Sequence, residues 1–392
     1  MPDDVRHDEL ASERGKLLLT LIGYPESGPL WLLGKAGMTD RREVRAAGLG
    51  LAIVAFYVLL VLLSGRVDPA AFGRLFLAYL KGSFSLWLML SFFGLGWLLW
   101  QKRPRAGRRV SPAAVVAEWL KGRWGRDRLV SLLWPPLLFA ALMASFNAFK
   151  QMILPAAGFR FDPLFADLDR IVFLGNDPWR LTHGLFASPT MTGLIDKAYH
   201  GWFVPMALGV MICAWLPRAT WRLRTQYLLS YVAMWIGVGS LLAFLLPSAG
   251  PCYYTHFVGP SPDFQALMDR LAADQAALGS PVAALQFQSG LLRAFGSDSL
   301  MVGGGISAMP SVHNGLAALF ALAAFRIDRR LGWAMAAYAA LIWIGSIHLG
   351  WHYAIDGLVS FALAFGIWAV AGRVAGWLER PARARTASPA IA

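Results

Sequence analysis

Eight apolar runs, at 47–64, 82–100, 129–149, 199–216, 227–246, 306–325, 331–348 and 352–376, constrain the fold more than any other feature of the sequence. Each is close to the roughly 20 apolar residues needed to cross the hydrocarbon core of a bilayer. Inside that core the backbone has no water to bond to, so such a run satisfies its amides and carbonyls by becoming a helix. A chain of 392 residues, 57% hydrophobic, with this many runs reads as an all-α integral membrane protein and not as soluble domains. Pro135-Pro136 predicts a kink in the third run.

The net charge of +13 is to be read through topology before any nucleic-acid partner is considered, and none is expected. With eight spans, 26 of the 36 Lys and Arg fall on the side of both termini and 10 on the other. Basic flanks favour the cytoplasm, so both termini are expected there. The expected organisation is a cytoplasmic arm at 1–46, with an amphipathic piece at 17–22 and an apolar patch at 30–33. Two extra spans and a basic loop at 47–128 follow, then a six-helix catalytic domain at 129–376 and a cytoplasmic tail at 377–392. Long segments at 150–198 and 247–305, the second with helical periodicity over 264–278, fall on the outer side. Cys213 and Cys252 lie in different contexts and imply no disulfide framework, and no cleavable signal peptide is expected.

Ionisable residues at membrane depth are costly and mark sites by default. They concentrate in Pro310-Ser311-Val312-His313 and in Ser346-Ile347-His348-Leu349-Gly350-Trp351-His352-Tyr353-Ala354-Ile355-Asp356. His352 and Asp356 are four apart, so on a helix they share a face, and the carboxylate can fix the tautomer of the ring. The other ring nitrogen is then a nucleophile, and His313 from another span can protonate a leaving oxygen. The topology brings both histidines and Pro247-Ser248-Ala249-Gly250-Pro251-Cys252-Tyr253-Tyr254 to the outer face. There the first turns of two helices are expected to converge and attract a phosphate.

At these residues the chain resembles the type-2 phosphatidic acid phosphatase superfamily, and more closely its inositol phosphorylceramide synthase-like and sphingomyelin synthase-like branch. Pro310-Ser311-Val312-His313 is similar to the superfamily's Pro-Ser-Gly-His motif, with Val312 for glycine. His352-Tyr353-Ala354-Ile355-Asp356 is similar to the branch's His-Tyr-x-x-Asp, and 247–254 to its first motif. The resemblance implies a phosphohistidine on His352, oriented by Asp356, with His313 as general acid and no metal or cofactor. Ser311, Ser248, Gly250, Tyr253, Tyr254 and Ser346 become candidate substrate contacts. Ser346 stands where the phosphatases carry an arginine, and their Lys-x6-Arg-Pro motif is missing. Both departures point to a phosphotransferase that moves a headgroup phosphate from a lipid-linked donor to a lipid or other alcohol.

Rival readings remain at this level. A lipid phosphate phosphatase differs only in using water. His348, one turn before His352, extends a stripe that could bind a metal. A transporter needs polar groups near the midplane and broken helices, whereas these cluster at one end. A silent lipid-binding protein also fits. Gly303-Gly304-Gly305 is no nucleotide loop, since no Lys-Ser or Lys-Thr follows. Spacing alone does not place Lys150, His200 or His256.

Overall fold

The computed structural model describes residues 41–101, 111, 113, 126–215, 220–297 and 299–379. The pieces at 17–22 and 30–33, most of the basic stretch, Arg218 and nearly all of the tail lie outside these residues. Among the described residues there are helices and no strand. We number them α1 (Arg41–Leu63), α2 (Pro69–Gln101), α3 (Arg126–Ala148), α4 (Asp162–Val172), α5 (Pro178–Leu185), α6 (Pro189–His200) and α7 (Phe203–Trp215). After these come α8 (Trp221–Ala233), α9 (Pro262–Leu278), α10 (Ala283–Ala294), α11 (Val312–Phe325), α12 (Arg329–His348) and α13 (Ala354–Glu379).

Seven segments are long and apolar enough to cross a membrane: Arg42–Leu63, Pro69–Trp97, Leu129–Ala157, Pro189–Trp215, Trp221–Leu245, Arg329–His348 and Ala354–Glu379. This is a multi-pass membrane protein. The run at 306–325 departs from expectation, because only its last 14 residues are helical. Residues 306–311 are spent instead as irregular, non-helical chain that builds the site. The fourth run is a composite in which α6 and α7 join through Gly201-Trp202. Pro135 and Pro136 lie inside α3 without ending it. The departure from α geometry comes later, in a π-helical turn at Phe149–Ile153, followed by a tight turn at Leu154–Ala157.

Helix α11 packs against both α12 and α13, while α1 and α2 pack against α3, so the N-terminal pair is part of the bundle and not an appendage. At one end the starts of α1 and α8 meet the end of α13. There the buried Glu43 carboxylate takes the Arg224 guanidinium and, at 2.8 Å, the Trp134 indole N–H, and Arg42 lies 3.7 Å from Glu379. The end of α3, the end of the α8 segment and the starts of α11 and α13 lie at the opposite end. The two segments expected as long loops carry α4 to α6 and α9 to α10; the periodicity at 264–278 is α9, capped by Ser261 and ended by Gly279 at φ +61.

Candidate active site

His352 is not on a helix. Helix α13 starts at Ala354, and His352 stands in the turn from α12, held by the carbonyl of Ser346, which accepts from the amides of Trp351 (2.9 Å) and His352 (3.1 Å). The pair expected from helical spacing forms all the same, with His352 Nδ1 3.2 Å from Asp356 Oδ2. That oxygen also accepts the Tyr353 amide at 3.1 Å, so one carboxylate fixes both the turn and the ring. Asp356 is fully buried and His352 is 6% exposed. Burial pushes the His352 imidazole down to about 3.

The first amides of α13, expected from the sequence to help attract a phosphate, are already taken. Asp169 of α4 takes them both, Oδ2 accepting from Ala354 and Oδ1 from Ile355 at 2.8 Å each. Two turns earlier on α4, Asp162 accepts from the amides of Ala249 and Gly250, both at 2.8 Å, and from the Tyr353 hydroxyl at 2.9 Å. One short helix thus pins the 247–254 segment and the His352 turn to each other. Burial pushes the Asp169 carboxyl up to about 7, against the pull of its two amides. The sequence carried a signal for these residues: Asp162 and Asp169 lie on the same face of an amphipathic helix as buried Phe165 and Ala166.

His313 sits in the first turn of α11, whose N-cap is Ser311, with Pro310 one residue further out. Its ring stacks between Trp202 (centroids 4.0 Å apart) and Tyr199 (5.3 Å), and its carbonyl accepts the Trp202 indole N–H at 3.1 Å. The break between α6 and α7 puts Trp202 there. The His313 and His352 rings are 6.2 Å apart.

Most of the expected substrate contacts have other partners. Ser248 Oγ accepts the Met309 amide at 2.9 Å. Ser311 Oγ accepts from the amide (3.3 Å) and side chain (3.0 Å) of Asn314, which also donates to Ser346 Oγ at 3.2 Å. Gly250 has φ +98, and a Cβ there would lie 2.6 Å from the Trp351 carbonyl oxygen. These residues join the backbones that carry the two histidines. The Tyr254 ring packs at a tilt against Phe264, centroids 4.7 Å apart. Tyr253 lines the cavity described next, its hydroxyl donating to the Gln288 carbonyl at 3.1 Å.

Both histidines line one cavity of about 490 Å³, walled mainly by apolar side chains such as Phe146, Phe203, Met206 and Trp235. Lys150 and His200 line it as well; His256 does not. Tyr79 of α2 also reaches it, where the Asn147 side chain donates to its hydroxyl at 2.5 Å. His348 belongs elsewhere: its ring stacks on His183 at 3.7 Å and its Nε2 is 3.0 Å from Thr192 Oγ1, which donates to Asp274 at 2.6 Å. The His348, His352, Asp356 stripe drawn from spacing is therefore broken by the turn. Among the described residues no group of three or more His, Cys, Asp or Glu has the arrangement of a metal site.

The family model of the PAP2 superfamily matches residues 164–370, more than half of the chain. No curated protein and no solved structure matches it. The chain belongs to the PAP2 superfamily, whose members are phosphatases or phosphotransferases.

Proposed function

We propose that this PAP2-superfamily protein is a membrane lipid phosphotransferase of the inositol phosphorylceramide synthase-like kind, moving a headgroup phosphate from a phospholipid-type donor to an alcohol through a phosphohistidine. The observation that carries the reading is a single apolar-walled cavity lined by His352, which Asp356 backs, and by His313 from a separate helix. Asp356 engages Nδ1, which leaves Nε2 of His352 as the attacking nitrogen. The N–P bond forms as the P–O bond to the leaving group breaks, and His313 gives its proton to the leaving oxygen. The acceptor alcohol then gives its proton to His313 as its oxygen attacks phosphorus and the N–P bond breaks. Both histidines return to their starting state.

Transfer in preference to hydrolysis is supported by apolar walls that limit water, and by Ser346 in place of the arginine expected of the phosphatases. Water in the second step makes the same machinery a lipid phosphate phosphatase. A site on the outer face is supported by the 26-to-10 distribution of basic residues. The test gives purified protein a phosphodiester lipid with and without added lipid alcohols. Faster donor consumption, a new phosphodiester and ping-pong kinetics are expected. Donor loss at one rate regardless of alcohol, with only water-derived products, replaces the transferase with a hydrolase.

A further inference from the structure

Among the described residues that line the cavity, Lys150 is the one lysine or arginine, and no carboxylate lines it. Its ammonium meets no hydrogen-bond acceptor and no acid among the described residues. The ammonium lies over the Phe146 ring, 6.0 Å from its centroid. A cation at this depth without an anion is costly, so the cavity is electrostatically built for a negative ligand. Lys150 reaches it because α3 does not end as an α-helix: the π-helical turn Phe149–Ile153 carries the side chain to the wall shared with His313 and His352. Such turns are frequent at functional sites.

The glycine run has its explanation here. A Cβ on Gly305 would lie 2.7 Å from Lys150 Cγ and 2.9 Å from the Lys150 carbonyl, and one on Gly304 would collide with the Gln151 side chain. Gln151 in turn ties the run to α3, donating to the Met301 carbonyl at 2.9 Å and accepting the Met301 amide at 3.0 Å. The bare backbone therefore packs on the stem of Lys150 and limits where its ammonium can go.

We propose that Lys150 holds the phosphate group of the substrate, its single positive charge matched to a singly charged phosphodiester. The proposal rests on reading the site as phosphate-handling. Lys150 lies outside the segment matched by the family and supplies a cation from a helix that precedes it.

The test uses the purified full chain in detergent with dibutyl phosphate, a singly charged diester, as the probe. Calorimetric titration is expected to show binding to the wild type and to His352→Ala. Lys150→Met should bind about tenfold or more weakly, the scale of one charge-assisted contact, and Lys150→Arg within about threefold of wild type. Equal binding by wild type and Lys150→Met, or no binding by the wild type, overturns the proposal. If Lys150→Met does not fold, reductive methylation of the native protein decides. Dibutyl phosphate is expected to slow modification of Lys150 relative to Lys197, and equal rates overturn the proposal. Turnover separates the two readings. Lys150-dependent binding in a protein that processes no lipid phosphate removes the enzyme and keeps the anion site. Full turnover by Lys150→Met removes the role of Lys150 and keeps the enzyme.

Discussion

At the residue scale the site divides into groups that line the cavity and groups that hold them. Asp356 acts on His352 directly, through Nδ1. We expect His352→Ala to abolish turnover and any trapped phosphoenzyme. Asp356→Asn should fold and lose on the order of 10³-fold or more in turnover, by analogy with triads in which the orienting carboxylate is replaced. Near-normal activity in His352→Ala would assign the nucleophile elsewhere. Asp169 acts one step further out, through the start of α13. Asparagine offers one acceptor oxygen where the carboxylate offers two. Asp169→Asn is therefore expected to lower kcat about tenfold with KM little changed, since a displaced His352 affects chemistry more than binding. A rise in KM with unchanged kcat contradicts that positioning role. The histidines and Asp356 were legible because ionisable residues stand out in apolar runs. Asp162 and Asp169 were not singled out, because they accept from backbone amides 87 and 185 residues away.

At the element scale, helical periodicity located α9 and the spanning helices, yet it misplaced how two of them begin. A run of apolar residues does not show where hydrogen bonding changes hands, and Ser346 and Asp169 take the amides around the start of α13. The same limit hid the π-helical turn at Phe149–Ile153 and the break at Gly201-Trp202, each of which delivers a cavity residue. The N-terminal pair reads as an addition in sequence, whereas Glu43 of α1 and Arg224 of α8 form a buried ion pair. Removing one member of a buried ion pair costs about 3–5 kcal/mol. Arg224→Met is expected to lower the melting temperature in detergent. The double variant Glu43→Gln with Arg224→Met should recover much of the loss, because Gln still accepts the Trp134 indole. A double variant no more stable than the single one refutes this.

At the scale of the whole molecule, the functional groups gather at one end of the bundle and the Glu43–Arg224 brace closes the other. On the proposal that the site faces outward, a cysteine at exposed Ser289 on α10 should be labelled from outside intact cells. One at Ile327, between α11 and α12, should need permeabilisation. The reverse pattern turns the site inward. The sequence by itself determined that the chain is a helical membrane protein, and it singled out His313, His352 and Asp356. Both follow from local rules, namely the length of an apolar run and the cost of a charge within it. Only the tertiary structure decided which polar groups hold backbone and which face the cavity. A hydroxyl or carboxylate bonds whatever the fold brings within about 3 Å, and that distance is set by helices far apart in the chain.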